Sequence, residues 1–231
     1  NRLARIKERI GEAAVRSGRD PAEITLIAVS KTFPTTAVSD MASLGQVHFG
    51  ENKIQELIQK TDDLGDGNND HPIDWHFIGH LQRNKAKDLI NRTSLFHGLD
   101  SLRLANALQS RLETRDSTLN CLVQVNVSGE ASKFGVEPSQ LDSFIDQLSA
   151  IGRLKIFGLM TLASPVDNPE DVRGEFAEMR RLAERVGERF HTASVVLSMG
   201  MSADFEVAIE EGATHVRIGS ALFGVRHSQN T

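Results

Sequence analysis

Eight short apolar runs, each parted from the next by a stretch with helical spacing, constrain the fold of this 231-residue chain more than any other feature. The runs lie at 24–31, 47–50, 73–79, 95–98, 119–127, 154–160, 194–198 and 214–219. Between them the spacing of apolar residues predicts helices over 35–44, 52–64, 85–90, 101–114, 139–150, 170–190 and 203–211. Leu3, Ile6, Ile10 and Ala14 open the chain with an amphipathic helix that Gly18 can stop, and Ser101 is placed to cap the helix over 101–114. A right-handed crossover returns the chain to the same end of a sheet after every helix, so strict alternation implies parallel strands. Eight such units in a chain of this length fit an α/β fold of the single (β/α)8 TIM-barrel type, one domain over 1–231 without a linker or compositional break. No G-x-G-x-x-G follows the first run, which speaks against an open dinucleotide-binding sheet.

Charge narrows the partners. Lysine and arginine number 26 against 31 acidic residues, a formal net charge of −5, whereas a nucleic-acid partner held through its phosphates needs a basic face. Arg180, Arg181, Arg185 and Arg189 are interleaved with acidic residues, the pattern of a solvated helix face. Cys121 is the sole cysteine, so no intrachain disulfide forms; its apolar run predicts a buried thiol and suits a reducing compartment. No run approaches membrane-spanning length, and the charged start lacks the apolar region of a signal peptide. The absence of an initiator methionine suggests an incomplete or processed start, and the expectation is a soluble cytoplasmic protein.

In a barrel, chemistry collects where strands end. Lys31 ends the first run, with its stem held by the core and its amine aimed into the space above. Partial burial disfavours the ammonium form, which suits an amine to imine formation with an aldehyde. A lysine that snorkels to solvent is the plainer reading of Lys31 alone. The segments 198–202 and 217–220 both run from strand into glycine and serine and then open a helix. Such loops bring N–H groups and hydroxyls to an anion, and the loops after strands seven and eight are the habitual phosphate site of this barrel. Tight turns with serine caps would account for either loop alone. A lysine opposite a phosphate site points to a phosphorylated aldehyde, and pyridoxal 5′-phosphate (PLP) joins those two groups. Arg217, just before the second loop, can reach the pyridine nitrogen and keep it unprotonated; an ordinary salt bridge is its alternative. His76 and His80 have i, i+4 spacing, but Gly79 and the strand at 73–79 keep them off a common helix face, so no metal site is expected. Lys133 is a reserve candidate for a second aldehyde contact, Glu51 is either structural or orients Lys31, and Met199 and Met201 read as packing residues.

The stretches 28–32, 49–52, 75–79 with Leu81, Gln82, Asn84 and Lys85, then Ser132, Lys133 and Gly135, 158–160, 197–202, and 216–219 with Phe223 and Gly224 occur in an order that resembles the pyridoxal phosphate homeostasis protein family. The resemblance implies a barrel like the N-terminal domain of alanine racemase. It implies the cofactor imine on Lys31, phosphate contacts on Ser202, Gly219 and Ser220, and Arg217 at the pyridine. Asn52 and His76 would line the cofactor's surroundings, and Lys53 stands where relatives often carry an aromatic residue. Ser220 replaces a common threonine and keeps the hydroxyl. The implied function is intracellular PLP homeostasis, as a carrier and buffer without robust turnover, serving PLP-dependent apo-enzymes as recipients. A monomer is implied, because no segment remains for the second domain of dimeric racemases. A racemase-like enzyme is the alternative; it needs a second acid–base group, and the chain contains no tyrosine. Cys121, His76 or Lys133 are the substitutes on offer, and nothing in the sequence places them. A cofactor-free Schiff-base aldolase acting on a sugar phosphate is a third reading, told apart by its lack of colour.

Overall fold

The computed structural model describes residues 1–67, 70–130, 133–190 and 195–224. Its strands are β1 (Thr25–Val29), β2 (His48–Glu51), β3 (Asp74–Phe77), β4 (Leu95–Leu99), β5 (Leu119–Gln124), β6 (Leu154–Met160), β7 (Val196–Ser198) and β8 (His215–Ile218). They close into a parallel barrel in chain order, with β1 also paired to β8 through Thr25–His215 and Ala28–Ile218. The helices α1 (Arg2–Arg16), α2 (Thr35–Ser43), α3 (Ile54–Leu64), α4 (Ala86–Leu89), α5 (Leu102–Thr114), α6 (Leu141–Ser149), α7 (Arg173–Phe190), α8 (Phe205–Glu210) and α9 (Ser220–Phe223) alternate with them.

The expected barrel is therefore present, and departures from the expected spans have local causes. Ser101 caps α5 by accepting the N–H of Leu104. The helix expected over 85–90 shrinks to one 3-10 turn, Arg83–Lys85, followed by α4. The helix expected from 170 starts as a 3-10 turn, Pro169–Val172, which Asn168 caps from outside, with Pro169 at the first helical position. Of the run at 194–198, Ser194 lies outside the described residues.

Alternation along each strand separates two environments. Leu26, Ala28, Phe49, Trp75, Phe77 and Phe96 face outward into the large core under the helices. Inward-facing Leu95, Leu122 and Met160 form a separate small apolar cluster with Val196. Beside Ile27 and Val29 the interior is unusually polar for a barrel whose layers are usually branched aliphatics: it includes His76, His97, Ser198 and Arg217, all buried. A register shift between Cys121 and Leu122 on β5 turns Phe157 outward, and Gly158 then lies so close to β7 that a Cβ would fall 1.9 Å from the Val196 carbonyl oxygen. Cys121 is fully buried and its thiol pKa is pushed up by burial, as expected of an inert core thiol. The arginines of α7 pair with acidic neighbours, Arg181 with Glu178 and Arg180 with Glu211, which gives the solvated face the sequence suggests.

Candidate functional site

The chain leaves β1 through a tight turn that carries Lys31. Thr32 has φ of 69°, a left-handed conformation costly for a β-branched residue, and its N–H is fixed by Glu56 Oε2 at 2.6 Å. Below the turn, Ser30 Oγ donates to Glu51 Oε1 at 2.6 Å. Lys60 Nζ donates to the same carboxylate oxygen at 2.5 Å and to the Ser30 carbonyl at 2.8 Å. All three residues are buried. Burial pushes the Glu51 carboxyl above its ordinary value, and the charge and hydrogen bond of Lys60 offset this only in part. Glu51 thus braces the backbone from which Lys31 projects.

Lys31 lines a cavity of about 610 Å³ at the C-terminal ends of the strands. Asn52, Ser202, Arg217, Gly219 and Ser220 line the same cavity, so six of the seven residues singled out from the sequence come together. Its apolar walls include Phe33, which stacks on Phe223 with ring centroids 5.0 Å apart, and Phe134, which stacks on His80 at 3.8 Å. Asn52 Oδ1 is buried without a hydrogen-bond partner among the described residues, as befits a group kept for something that enters the cavity. At one end Ser202 Oγ accepts the N–H of Ala221 at 3.5 Å, which ties the loop after β7 to the start of α9, where Ser220 is exposed.

Arg217 forms part of the floor. It is 3% exposed and donates to Ser198 Oγ at 2.6 Å and to the Thr161 carbonyl at 2.7 Å. Among the described residues these hydrogen-bond partners are neutral oxygens, not the salt bridge offered as the alternative. Burial lowers the guanidinium to about 10, which leaves it cationic at neutral pH. A buried cation without a bonded carboxylate among the described residues is costly for folding alone.

His76 is the exception to the expected set. Residues 74, 76 and 78 share the inward face of β3 and its extension, and it is Ile78, at the strand's end, that lines the cavity. His76 lies one layer deeper, where its Nδ1 meets His97 Nε2 at 3.0 Å and its Nε2 meets His48 Nδ1 at 3.1 Å. His97 Nδ1 continues to Ser198 Oγ at 3.0 Å, so a chain of hydrogen bonds runs from His48 to Arg217. Burial holds His76 below its ordinary value and His97 well below it; the nearby His215 is pushed down to about 3. The sequence gives no role to His48, His97, Lys60 and Glu56, and it marks Ser198 only as the start of the loop at 198–202. The trace they leave there is a histidine in each of four strands, at 48, 76, 97 and 215.

Lys133 pairs with Glu130 at 2.8 Å, next to the cavity-lining Phe134, and Ser132 lies outside the described residues. Met199 is buried as expected of a packing residue, whereas Met201 is 39% exposed and lines the cavity.

Comparison with known proteins bears on this geometry. Residues 2–227 match the family described as alanine racemase, N-terminal domain. The pyridoxal phosphate homeostasis protein of Aquifex aeolicus is 42% identical over 225 residues, covering 97% of each chain. Among solved structures, PipY of Synechococcus elongatus with PLP bound is 34% identical with a TM-score of 0.80, covering 95% of this chain and all of that one. An alanine racemase of Clostridium difficile shares the fold, with a TM-score of 0.73 at 14% identity; 97% of this chain is covered against 57% of the racemase.

Proposed function

We propose that this chain, which belongs to the pyridoxal phosphate homeostasis protein family, binds PLP in the cavity beside Lys31 and holds it for delivery. The observation that carries this reading is the convergence of Lys31, the buried cation of Arg217 and the Ser202–Gly219–Ser220 end in one cavity of about 610 Å³. The PLP bound to the relative PipY supports it. When bound, PLP supplies an aldehyde that condenses reversibly with an amine and a ring able to accept electrons. Lys31 is the covalent tether, projected by a turn that Glu56, Glu51 and Lys60 fix from below. Ser202, Gly219 and Ser220 hold the phosphate with hydroxyl and backbone donors. Arg217 holds a cation at the ring nitrogen, which keeps protons off that atom and weakens the ring as an electron sink. The same arrangement favours storage over turnover: racemisation requires a second positioned acid–base group, and the sequence contains no tyrosine to supply the usual one. The protein acts in the cytoplasm as a single-domain monomer, with PLP-dependent apo-enzymes as recipients. Among the described residues no helix is long and apolar enough to cross a membrane.

The test is the visible spectrum of the purified protein before and after borohydride, with peptide mapping of the reduced product. A yellow protein whose label is trapped on Lys31 and is lost in Lys31→Ala supports the proposal. A protein that stays colourless and unmodified after added PLP overturns it.

A further inference from the structure

We propose that His48, Asp74 and His76 form a binding site for a divalent cation of the zinc class, at the end of the barrel opposite Lys31. His48 and Asp74 are the first residues of β2 and β3 and are direct register partners, so parallel pairing places them side by side at the N-terminal mouth. His76 follows two residues along β3, on the same face as Asp74. His48 Nδ1 lies 2.9 Å from Asp74 Oδ2 and 3.1 Å from His76 Nε2, and the latter two atoms are 3.5 Å apart. Metal–ligand bonds of about 2.0–2.1 Å at the tetrahedral angle set ligand atoms about 3.3 Å from one another. The three atoms therefore already mark out one face of a tetrahedron.

Hydrogen bonding alone accounts for this triangle poorly. Neutral imidazoles bring at most one hydrogen each, so two hydrogens serve three close contacts, and when both go to Asp74 Oδ2 the 3.1 Å contact between the ring nitrogens of His48 and His76 is left without one. A cation at the centre of the face uses one lone pair from each of the three atoms. The surroundings are also those of a metal site. His76 turns its other nitrogen to His97 Nε2 at 3.0 Å, the outer-shell contact that fixes the tautomer of a ligating imidazole. The His48 and Asp74 side chains are 37% and 34% exposed, which gives an entry path and a solvent-filled fourth position, while His76 at 3% anchors the site from within. Two imidazoles with one carboxylate select zinc, cobalt, nickel or copper over magnesium or calcium, which take oxygen ligands. A cation on His76 Nε2 leaves a hydrogen on Nδ1 to donate to His97. His97 then donates from Nδ1 to Ser198 Oγ, the atom that also accepts from Arg217. Occupancy at the lower mouth thus sets the hydrogen-bond direction up to the floor of the upper cavity.

The site is testable without PLP. Full-length protein freed of metal by chelation is titrated with Co(II), followed by its visible absorption, and Zn(II) is then added in competition. The expected result is one equivalent of tetrahedral Co(II), displaced by Zn(II). Saturating zinc, at about a hundredfold over its Kd, should raise Tm by about 5–10 °C. His48→Gln and Asp74→Asn each weaken binding at least about tenfold, since each removes a ligand. His80→Gln and Lys31→Ala leave binding unchanged, because neither residue belongs to the triangle. Absence of a cobalt band together with a zinc-independent Tm overturns the proposal, as does binding that both ligand variants retain or that Lys31→Ala abolishes.

Discussion

Replacing Lys60 by methionine tests the base on which Lys31 stands. Methionine fills roughly the space of the lysine stem, so the change removes the ammonium and little packing. Lost are the donations to Glu51 Oε1 at 2.5 Å and to the Ser30 carbonyl at 2.8 Å. The two side chains are 5% and 0% exposed, so solvent does not screen the pair. Removing one partner of a buried ion pair strands the other charge, which costs about 3–5 kcal/mol. For a domain of this size that corresponds to a fall in Tm of about 6–20 °C. Urea unfolding followed by the fluorescence of Trp75, the sole and buried tryptophan, reads the loss as a shift in midpoint at constant slope. The deficit should depend on pH with a fixed sign. The Glu51 carboxyl already titrates above 4.5 in the folded protein, and losing Lys60 raises it further. From 4.5 up to that raised value the folded state binds more protons than the unfolded state, so stability falls as pH rises. The deficit of Lys60→Met is therefore smaller at pH 5 than at pH 8, and adding Glu51→Gln recovers part of it. A loss under about 1 kcal/mol, or one that is the same at both pH values, would refute the claim that a stranded charge is what Lys60 prevents.

Glu56→Ala removes the acceptor that holds the left-handed Thr32; we expect a loss of about 1–2 kcal/mol and slower trapping of aldehyde on Lys31, both largely rescued by Glu56→Gln. Arg217→Met should leave the urea midpoint unchanged or raise it, since a buried cation bonded to neutral oxygens is removed, while altering the visible spectrum of added PLP; an unaltered spectrum would take Arg217 away from the ring. Gly158→Ala drives a Cβ into the Val196 carbonyl and should cost about 3 kcal/mol or more, so a parental Tm would show that β6 and β7 are not so close. Ser202→Ala and Ser220→Ala each remove a hydroxyl from the end of the cavity proposed to hold the phosphate and should weaken PLP about tenfold or more in a fluorescence titration while leaving phosphate-free pyridoxal little affected.

The linear order of this chain determined the barrel and most of its upper cavity. Alternation of apolar runs and helices is a local property, and right-handed crossovers convert it into parallel strands whose C-terminal ends all share one mouth. Lys31, Asn52, Ser202, Arg217, Gly219 and Ser220 sit in or just beyond strand ends, so knowing the topology was enough to gather them. Tertiary structure decided what lies beneath. His76 was drawn toward the cavity by its place in the motif at 75–79, yet its depth is set by the pleat, which gives the cavity position to Ile78. Its contacts with His48 and His97 depend on the register of β2, β3 and β4, and Lys60 meets Glu51 only because α3 folds back over the end of β2. Spacing along the sequence compared His76 with His80, a neighbour in the chain, when its partners in space come from other strands. Strand order is inherited from the sequence one unit at a time, whereas register and depth emerge only when the whole barrel closes, because the stagger of each strand is fixed by all the others.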